Sequence, residues 1–306
     1  MIGIGEIAYV IGENSLSNRD RLESLEATSD LLENKIGVMT VARKAADMET
    51  SDLALAAVRK LFDSGAVKPE EIECLILVTQ NPDGYGLPHT SAILHEKAGL
   101  SPACAAFDIS LGCSGFVYGL SVISAFMGAN GMTRGILVTA DPYSKVVDDH
   151  DRNTTLLFGD AAAATLMTDT PKWNIGKMDF GTQGSLHSAL EISNERHLSM
   201  NGRTVFNFCA QNVPTSINKT LDKNNLTLDD IDLLVLHQGS KFIVETIGRR
   251  LGATEKTPFL AADYGNTVSS SIPIILAGGA PKEARRILIS GFGVGLSWAT
   301  TIIERV

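Results

Sequence analysis

Residues 69–80 read P-E-E-I-E-C-L-I-L-V-T-Q, and residues 228–238 read L-D-D-I-D-L-L-V-L-H-Q. In each, an acidic pair precedes a short apolar run, the pattern of a parallel strand buried on both faces. Ile72 falls on Ile231, an offset of 159 residues. Two further pairs follow in the same order. F-D-I-S-L-G-C-S at 107–114 sits against L-A-A-D-Y-G-N-T at 260–267, which sets Cys113 on Asn266 at an offset of 153. R-G-I-L-V-T-A from Arg134 sits against R-R-I-L-I-S-G from Arg285, at an offset of 151. Any one such match is common by chance, but three in one order at nearly one spacing predict a duplicated chain.

Around these segments, strand-like and helix-like stretches alternate. Residues 2–11 read as a strand, and Asn18–Glu33 is charged and helix-compatible. Ser51–Ser64 repeats Leu53, Ala56, Ala57 and Leu61 at helical spacing between a Ser51 cap and a Gly65 stop. His89–Lys97 reads as a helix, Ala105–Ile109 as a strand, the stretch to about Gly128 as a helix, and Gly135–Ala140 as a strand. The alternation predicts an α/β layered fold with a mostly parallel sheet. The division falls near Thr168–Lys177, giving halves 1–168 and 169–306. Duplicated halves usually pack face to face with equivalent loops near the pseudo-symmetry axis. Cys113 and Asn266 are therefore expected to meet there, with His237, at the end of a matching strand, pointing the same way.

The 306 residues are 44% hydrophobic and 20% charged, as in an ordinary soluble globular protein. A net charge of −9 argues against a nucleic-acid-binding face. The N-terminus has no basic region followed by an apolar core, and no apolar run is long enough for a membrane span, so a cytoplasmic protein is expected. Cys74, Cys104, Cys113 and Cys209 lack metal-ligand spacing, which predicts reduced thiols and no metal site.

Residues 108–120, D-I-S-L-G-C-S-G-F-V-Y-G-L, read as a strand, a tight turn and a helix, with Cys113 between Gly112 and Gly115. A thiol at the first turn of a helix lies near the positive end of the peptide dipoles, which favours the thiolate. A free cysteine is also often just a small buried hydrophobe, and this segment alone leaves both readings open. Cys113, His237 and Asn266 together make a candidate nucleophile, base and polar orienter. Taken singly, the histidine fits a structural strand-end hydrogen-bonder and the asparagine a turn residue. The order Cys, His, Asn also occurs in papain-like proteases, which are not duplicated α/β proteins.

Beyond the repeat, several stretches resemble the β-ketoacyl-acyl carrier protein synthase III family of the thiolase superfamily. They are D-I-S-L-G-C-S-G-F, F-G-D-A-A-A-A at 158–164, H-L-S-M-N-G at 197–202, L-V-L-H-Q at 234–238, Y-G-N-T-V-S-S-S-I-P at 264–273 and G-F-G-V-G-L-S-W at 291–298. They run over nearly the whole chain in the family's order. The resemblance implies a duplicated thiolase-like fold, layered α-β-α-β-α, with a mixed, mostly parallel sheet in each half. It implies that Cys113 accepts an acyl group from a thioester and that a malonyl thioester then loses carbon dioxide. The resulting enolate attacks the acyl-enzyme, stabilised by donors on neutral His237 and Asn266. An oxyanion hole from the backbone N–H groups of Cys113 and Val294 is implied, with glycines at 291, 293 and 295 allowing close backbone approach. Asp160 resembles a structural turn residue of the family. No cofactor is implied beyond coenzyme A or acyl carrier protein thioesters as substrates.

Where the family usually has a tryptophan and an arginine that sandwich the adenine of coenzyme A, this chain has Leu31 and Lys35. Arg152 matches the family's other nucleotide-contacting arginine. After His237 the chain reads Q-G-S-K-F, which puts Ser240 at a polar pocket position and Phe242 at a carrier-docking arginine position. These departures point to a specialised member, acting in fatty-acid or secondary metabolism, and put a coenzyme A primer in doubt. Lys241, Arg249 and Arg250 can present a basic face to acyl carrier protein, although solvated helix charges are the ordinary reading. The resemblance further implies a homodimer in which the loop Gly84–Pro88, with Leu87, closes the partner's acyl pocket. Two other functions fit the same residues: acyl transfer from Cys113 to an alcohol or amine without decarboxylation, and a noncatalytic partner subunit.

Overall fold

The structure, a computed structural model, describes residues 1–193 and 196–306. The first half contributes β1 (Gly3–Ile11), a ribbon of β2 (Asn14–Ser17) and β3 (Thr40–Arg43), then β4 (Cys74–Val78), β5 (Ala105–Ile109), β6 (Arg134–Ala140) and β7 (Ala161–Thr168). The second contributes β8 (Trp173–Ile175), β9 (Asp179–Thr182), a ribbon of β10 (Leu190–Ile192) and β11 (Leu198–Met200), then β12 (Leu233–Leu236), β13 (Arg286–Gly293) and β14 (Ser297–Arg305). The helices are α1 (Thr50–Asp63), α2 (Thr90–Lys97), α3 (Gly115–Ala129), the single turn α4 (Arg152–Thr155), α5 (Gly202–Asn224), α6 (Lys241–Leu251) and α7 (Ser271–Gly278).

The strand order carries the duplication. In the first half β4 pairs parallel with β5 and β6, β6 pairs antiparallel with β7, and β7 antiparallel with β1. In the second, β12 pairs parallel with β13, β13 antiparallel with β14, and β14 antiparallel with β8 and β9. The strands aligned by sequence, β4 with β12 and β6 with β13, thus hold equivalent places. A bridge between Ile4 and Trp173 joins the two sets into one ten-stranded sheet. The sheet is mixed, as expected, but antiparallel pairings outnumber parallel ones among the described residues, so the balance is corrected from mostly parallel. The reason is local: β7 and β14 each return antiparallel at the far edge of a parallel pair.

Layering follows from side-chain alternation. Cys74, Ile76 and Val78 pack with Phe116, Leu120, Leu233, Val235, Ile287 and Ile289, so one face of each half's strands closes on α3 and α7 between them. Leu75 and Leu77 point the other way, against α1 and α2, whereas Leu234, Leu236 and Leu288 pack under α5 and α6. Burial on both faces is why these strands are continuously apolar. The result is the expected α-β-α-β-α arrangement.

Glycine sets how close α3 lies. A Cβ at Gly115 would stand 2.4 Å from Val78 and one at Gly119 2.8 Å from Leu137, so the small residues one turn apart let the helix rest on β4 and β6. Asn18–Glu33 departs from a continuous helix. Glu26 adopts a left-handed backbone (φ 49°), and helical turns are confined to Arg19–Arg21 and residues 29–36. Among the described residues no helix is long and apolar enough to cross a membrane.

Candidate active site

Three segments converge between the halves. Cys113 precedes Ser114, the N-cap of α3, and β13 runs past it. A Cβ at Gly291 would sit 2.7 Å from the Cys113 carbonyl oxygen, and one at Gly293 would sit 2.8 Å from Sγ. These two glycines, one strand period apart, are what let a backbone lie against the cysteine turn. His237 ends β12, its N–H donating to the Ser290 carbonyl at 2.8 Å. The ring stands edge-on to Phe292, with centroids 5.6 Å apart. Asn266 is zipped to the other half: its N–H donates to the Leu157 carbonyl at 2.8 Å and its carbonyl accepts from the Gly159 N–H at 2.9 Å.

Cys113, His237 and Asn266 line one cavity of about 690 Å3, and each is at most 3% exposed. Burial pushes the Cys113 thiol up to about 12, while the backbone N–H groups of Val294 and of Cys113 itself, directed at the sulfur, pull the other way. Helix α3 begins at Gly115, so Cys113 lies outside its first turn, and desolvation outweighs the helix terminus. Burial also drives His237 down to about 3, partly offset by the Val268 carbonyl, so the imidazole is neutral. The Asn266 Oδ1 accepts from the Val268 N–H at 2.9 Å. That fixes which end of the amide is which and leaves the Nδ2 hydrogens as free donors.

Behind the cysteine, Asp141 is wholly buried and pushed up to about 7 by desolvation, although it accepts from the Gln80 N–H at 2.7 Å and the Ser269 hydroxyl at 3.0 Å. Asp160 accepts from the backbone N–H groups of Lys44 (2.9 Å) and Ser144 (3.1 Å), a turn-holding role.

Of the expected binding residues, Lys35, Arg152 and Ser240 line the same cavity. Arg152 donates to the Glu26 carbonyl at 2.6 Å, and Ser240 caps α6 through the Ile243 N–H at 3.4 Å. Arg249, Arg250 and Leu87 do not line it. Arg249 reaches the Thr246 hydroxyl, Arg250 ties α6 to the Ala210 carbonyl of α5, and Leu87 is 94% exposed on its loop. The sequence reading did not foresee the aromatic stack at the mouth. Phe242 stacks on Phe206 at 5.0 Å, and Lys35 Nζ sits 4.1 Å over the Phe242 ring. Their spacing in sequence carries no sign of the pairing, because α5 and α6 bring them together only in three dimensions. Cys209 and Ser271, also unassigned from sequence, line the cavity and contact His237 Nδ1 at 2.8 Å respectively.

Residues 107–184 match the family of 3-oxoacyl-[acyl-carrier-protein] synthase III, and residues 221–305 match that family's C-terminal domain. A β-ketoacyl-[acyl-carrier-protein] synthase III of Streptococcus pneumoniae is 32% identical, with 98% of each chain covered. A crystal structure of a 3-oxoacyl-(acyl-carrier-protein) synthase III superposes with a TM-score of 0.92 at 31% identity, covering 99% of both chains. The synthase III of Thermus thermophilus gives 0.91 at 28% identity, again with 99% of each chain covered. A priming β-ketosynthase of the R1128 polyketide pathway, 24% identical with a TM-score of 0.89, covers 100% of this chain and 96% of its own and shares the fold. On the strength of its sequence match, its duplicated sheet and the cavity between its halves, the chain belongs to the 3-oxoacyl-[acyl-carrier-protein] synthase III family.

Proposed function

We propose that the protein catalyses a decarboxylative Claisen condensation in two stages. In the first, Cys113 Sγ attacks the carbonyl carbon of a primer thioester, the donor carbon–sulfur bond breaks, and the thiol proton ends on the released donor thiol. The backbone N–H groups of Cys113 and Val294 are the proposed donors to the carbonyl oxygen as it takes on charge. In the second, malonyl-acyl carrier protein loses carbon dioxide, and the electrons of the broken bond form an enolate held by His237 and the Asn266 amide. The enolate carbon attacks the acyl carbonyl and expels the Cys113 thiolate, which takes up a proton, and the β-ketoacyl product leaves on the carrier. The reaction draws on thioesters alone.

The observation that carries this reading is the pairing of an oriented amide donor with a histidine held neutral in the Cys113 cavity. An imidazole driven down to about 3 is a poor base for an alcohol or amine acceptor, which disfavours acyl transfer without decarboxylation. The test is carbon dioxide release from malonyl-acyl carrier protein in the presence of an acyl donor, with intact-protein mass spectrometry following the acyl adduct. Cys113→Ala should abolish the adduct. Acyl transfer with no malonyl group consumed would overturn the reading.

We assign Lys35, Arg152 and Ser240 to the donor's arm at the mouth, and Lys241, Arg249 and Arg250 to docking of the acidic carrier. Both sides of the Phe242 ring are engaged, by Phe206 and by Lys35, and residue 31 is aliphatic. A carrier-bound primer is thereby favoured over coenzyme A, whose adenine needs a stacking surface. The exposed loop tip with Tyr85 and Leu87 is assigned to contact with a second copy, and the halves are assigned to 1–168 and 169–306.

A further inference from the structure

After Asn266 the chain passes through Val268, whose left-handed backbone (φ 52°) aims one residue at two catalytic side chains. Its N–H donates to Asn266 Oδ1 at 2.9 Å, and its carbonyl faces Ser271, whose hydroxyl lies 3.1 Å away. The same Ser271 oxygen is 2.8 Å from His237 Nδ1. Ser271 is fully buried, so no water competes for it.

The serine has one hydroxyl hydrogen and two acceptors for it. The Val268 carbonyl already accepts the Ser271 backbone N–H as the preceding 3-10 turn closes. It stays satisfied without the hydroxyl; although it lies close enough to the ring to raise the imidazole slightly, it makes no hydrogen bond of ordinary geometry with it, and the shorter hydroxyl contact is to Nδ1. A nitrogen that accepts a hydrogen bond carries no proton, so a neutral imidazole accepting at Nδ1 must carry its hydrogen on Nε2. Nε2 lies on the side of the ring toward Gly239, which lines the cavity. The opposite assignment would turn a lone pair toward any developing oxyanion.

We propose that Ser271 is a positioning residue whose hydroxyl donates to His237 Nδ1 and holds the imidazole proton on Nε2, where the condensation step needs a donor. The proposal rests on the condensing reading for its consequence, though not for its geometry. Acylation of Cys113 uses the sulfur and two backbone N–H groups, and so does not depend on this proton. Losing Ser271 should therefore divide the two stages: about a 10–100-fold loss in carbon dioxide release, the scale known for neutral and charged partners that orient metal-bound histidines, with acylation within about threefold of wild type.

The first arm of the test measures both stages in Ser271→Ala and in Ser271→Thr, which keeps the hydroxyl and should recover most of the loss. The second reads the tautomer by 15N NMR of the wild-type imidazoles, with His237 assigned by its absence in His237→Gln; this arm stands even where Ser271→Ala fails to fold. A protonated Nε2 and bare Nδ1, with a loss confined to the second stage, support the proposal. A protonated Nδ1 in the wild type, equal losses in both stages, or an unchanged Ser271→Ala enzyme would overturn it. A wild type that releases no carbon dioxide from malonyl-acyl carrier protein defeats the condensing reading instead, and the tautomer measurement still decides the role of Ser271.

Discussion

Asn266→Asp is nearly isosteric and changes one thing: the group that replaces Nδ2. The remaining oxygen keeps the Val268 N–H at 2.9 Å, so the side chain should stay where it is. In place of a two-hydrogen donor, the enolate then meets a carboxyl oxygen. Losing one preorganised donor costs about 3–4 kcal/mol, or 10²–10³ in rate, and an ionised carboxylate facing an enolate adds repulsion to that. Asn266 is 3% exposed, and burial favours the protonated acid, whose O–H still donates. The variant should therefore work best at low pH and lose activity as its carboxyl ionises, reaching at least about a 10²-fold deficit by pH 9. The assay is carbon dioxide release from malonyl-acyl carrier protein at pH 6–9, normalised to wild type, with Cys113 acylation followed in parallel as the stage that should be spared. A variant that stays within about tenfold of wild type across that range would refute the donor role.

Gly293→Ala would place a Cβ 2.8 Å from the Cys113 sulfur at a backbone φ of 154°, and the crowding, about 1–3 kcal/mol in a packed site, should suppress the mass-spectrometric acyl adduct while the melting temperature falls only modestly. Asp141, raised to about 7 from 3.8, binds its proton more readily in the folded state, so it removes stability as pH rises through that window. His237, lowered to about 3 from 6.5, does the reverse and removes stability as pH falls through its window. The two slopes oppose between about pH 4 and 6.5. Asp141→Asn should expose the histidine slope, up to about 1.4 kcal/mol per pH unit, in urea midpoints measured from pH 7 down to 4; a variant whose midpoints track wild type at every pH contradicts this. With the same acyl group, carrier thioester should acylate Cys113 at least about tenfold faster than coenzyme A thioester, given the scale of lost base stacking; equal rates would return coenzyme A as a primer.

The fold was legible because its signals are periodic and local. The acidic pair before each of β4 and β12 and the unbroken apolar runs reflect strands buried on both faces, and a second copy of that pattern exposed the duplication. The convergence of Cys113, Asn266 and His237 followed from pseudo-symmetry alone, since equivalent turns must meet where the halves meet. The environment of the Cys113 thiol was only half legible, because a helix terminus can be read from a sequence, whereas the burial that opposes it cannot. Cys113 lies two residues before the first residue of α3 and beneath β13, and neither fact is written in residues 108–120.

The same limit hides the parts of the site that act through others. Ser271 looks like one serine in a run of three, from Ser269 to Ser271, yet the three hydroxyls go to three different places: Asp141, Thr139 and His237. What separates them is the left-handed residue at Val268, an uncommon conformation for a β-branched side chain and one that no local preference announces. It turns the chain so that one residue steadies the Asn266 amide through its N–H and meets Ser271, the partner of His237, through its carbonyl. Asn266 and His237, on different elements, are thereby referred to a single fixed point. Strain at Val268 is the local sequence conflict a preorganised oxyanion site would be expected to carry, and it is why the second half of the duplicated chain, built like the first, holds the two proposed donors opposite Cys113.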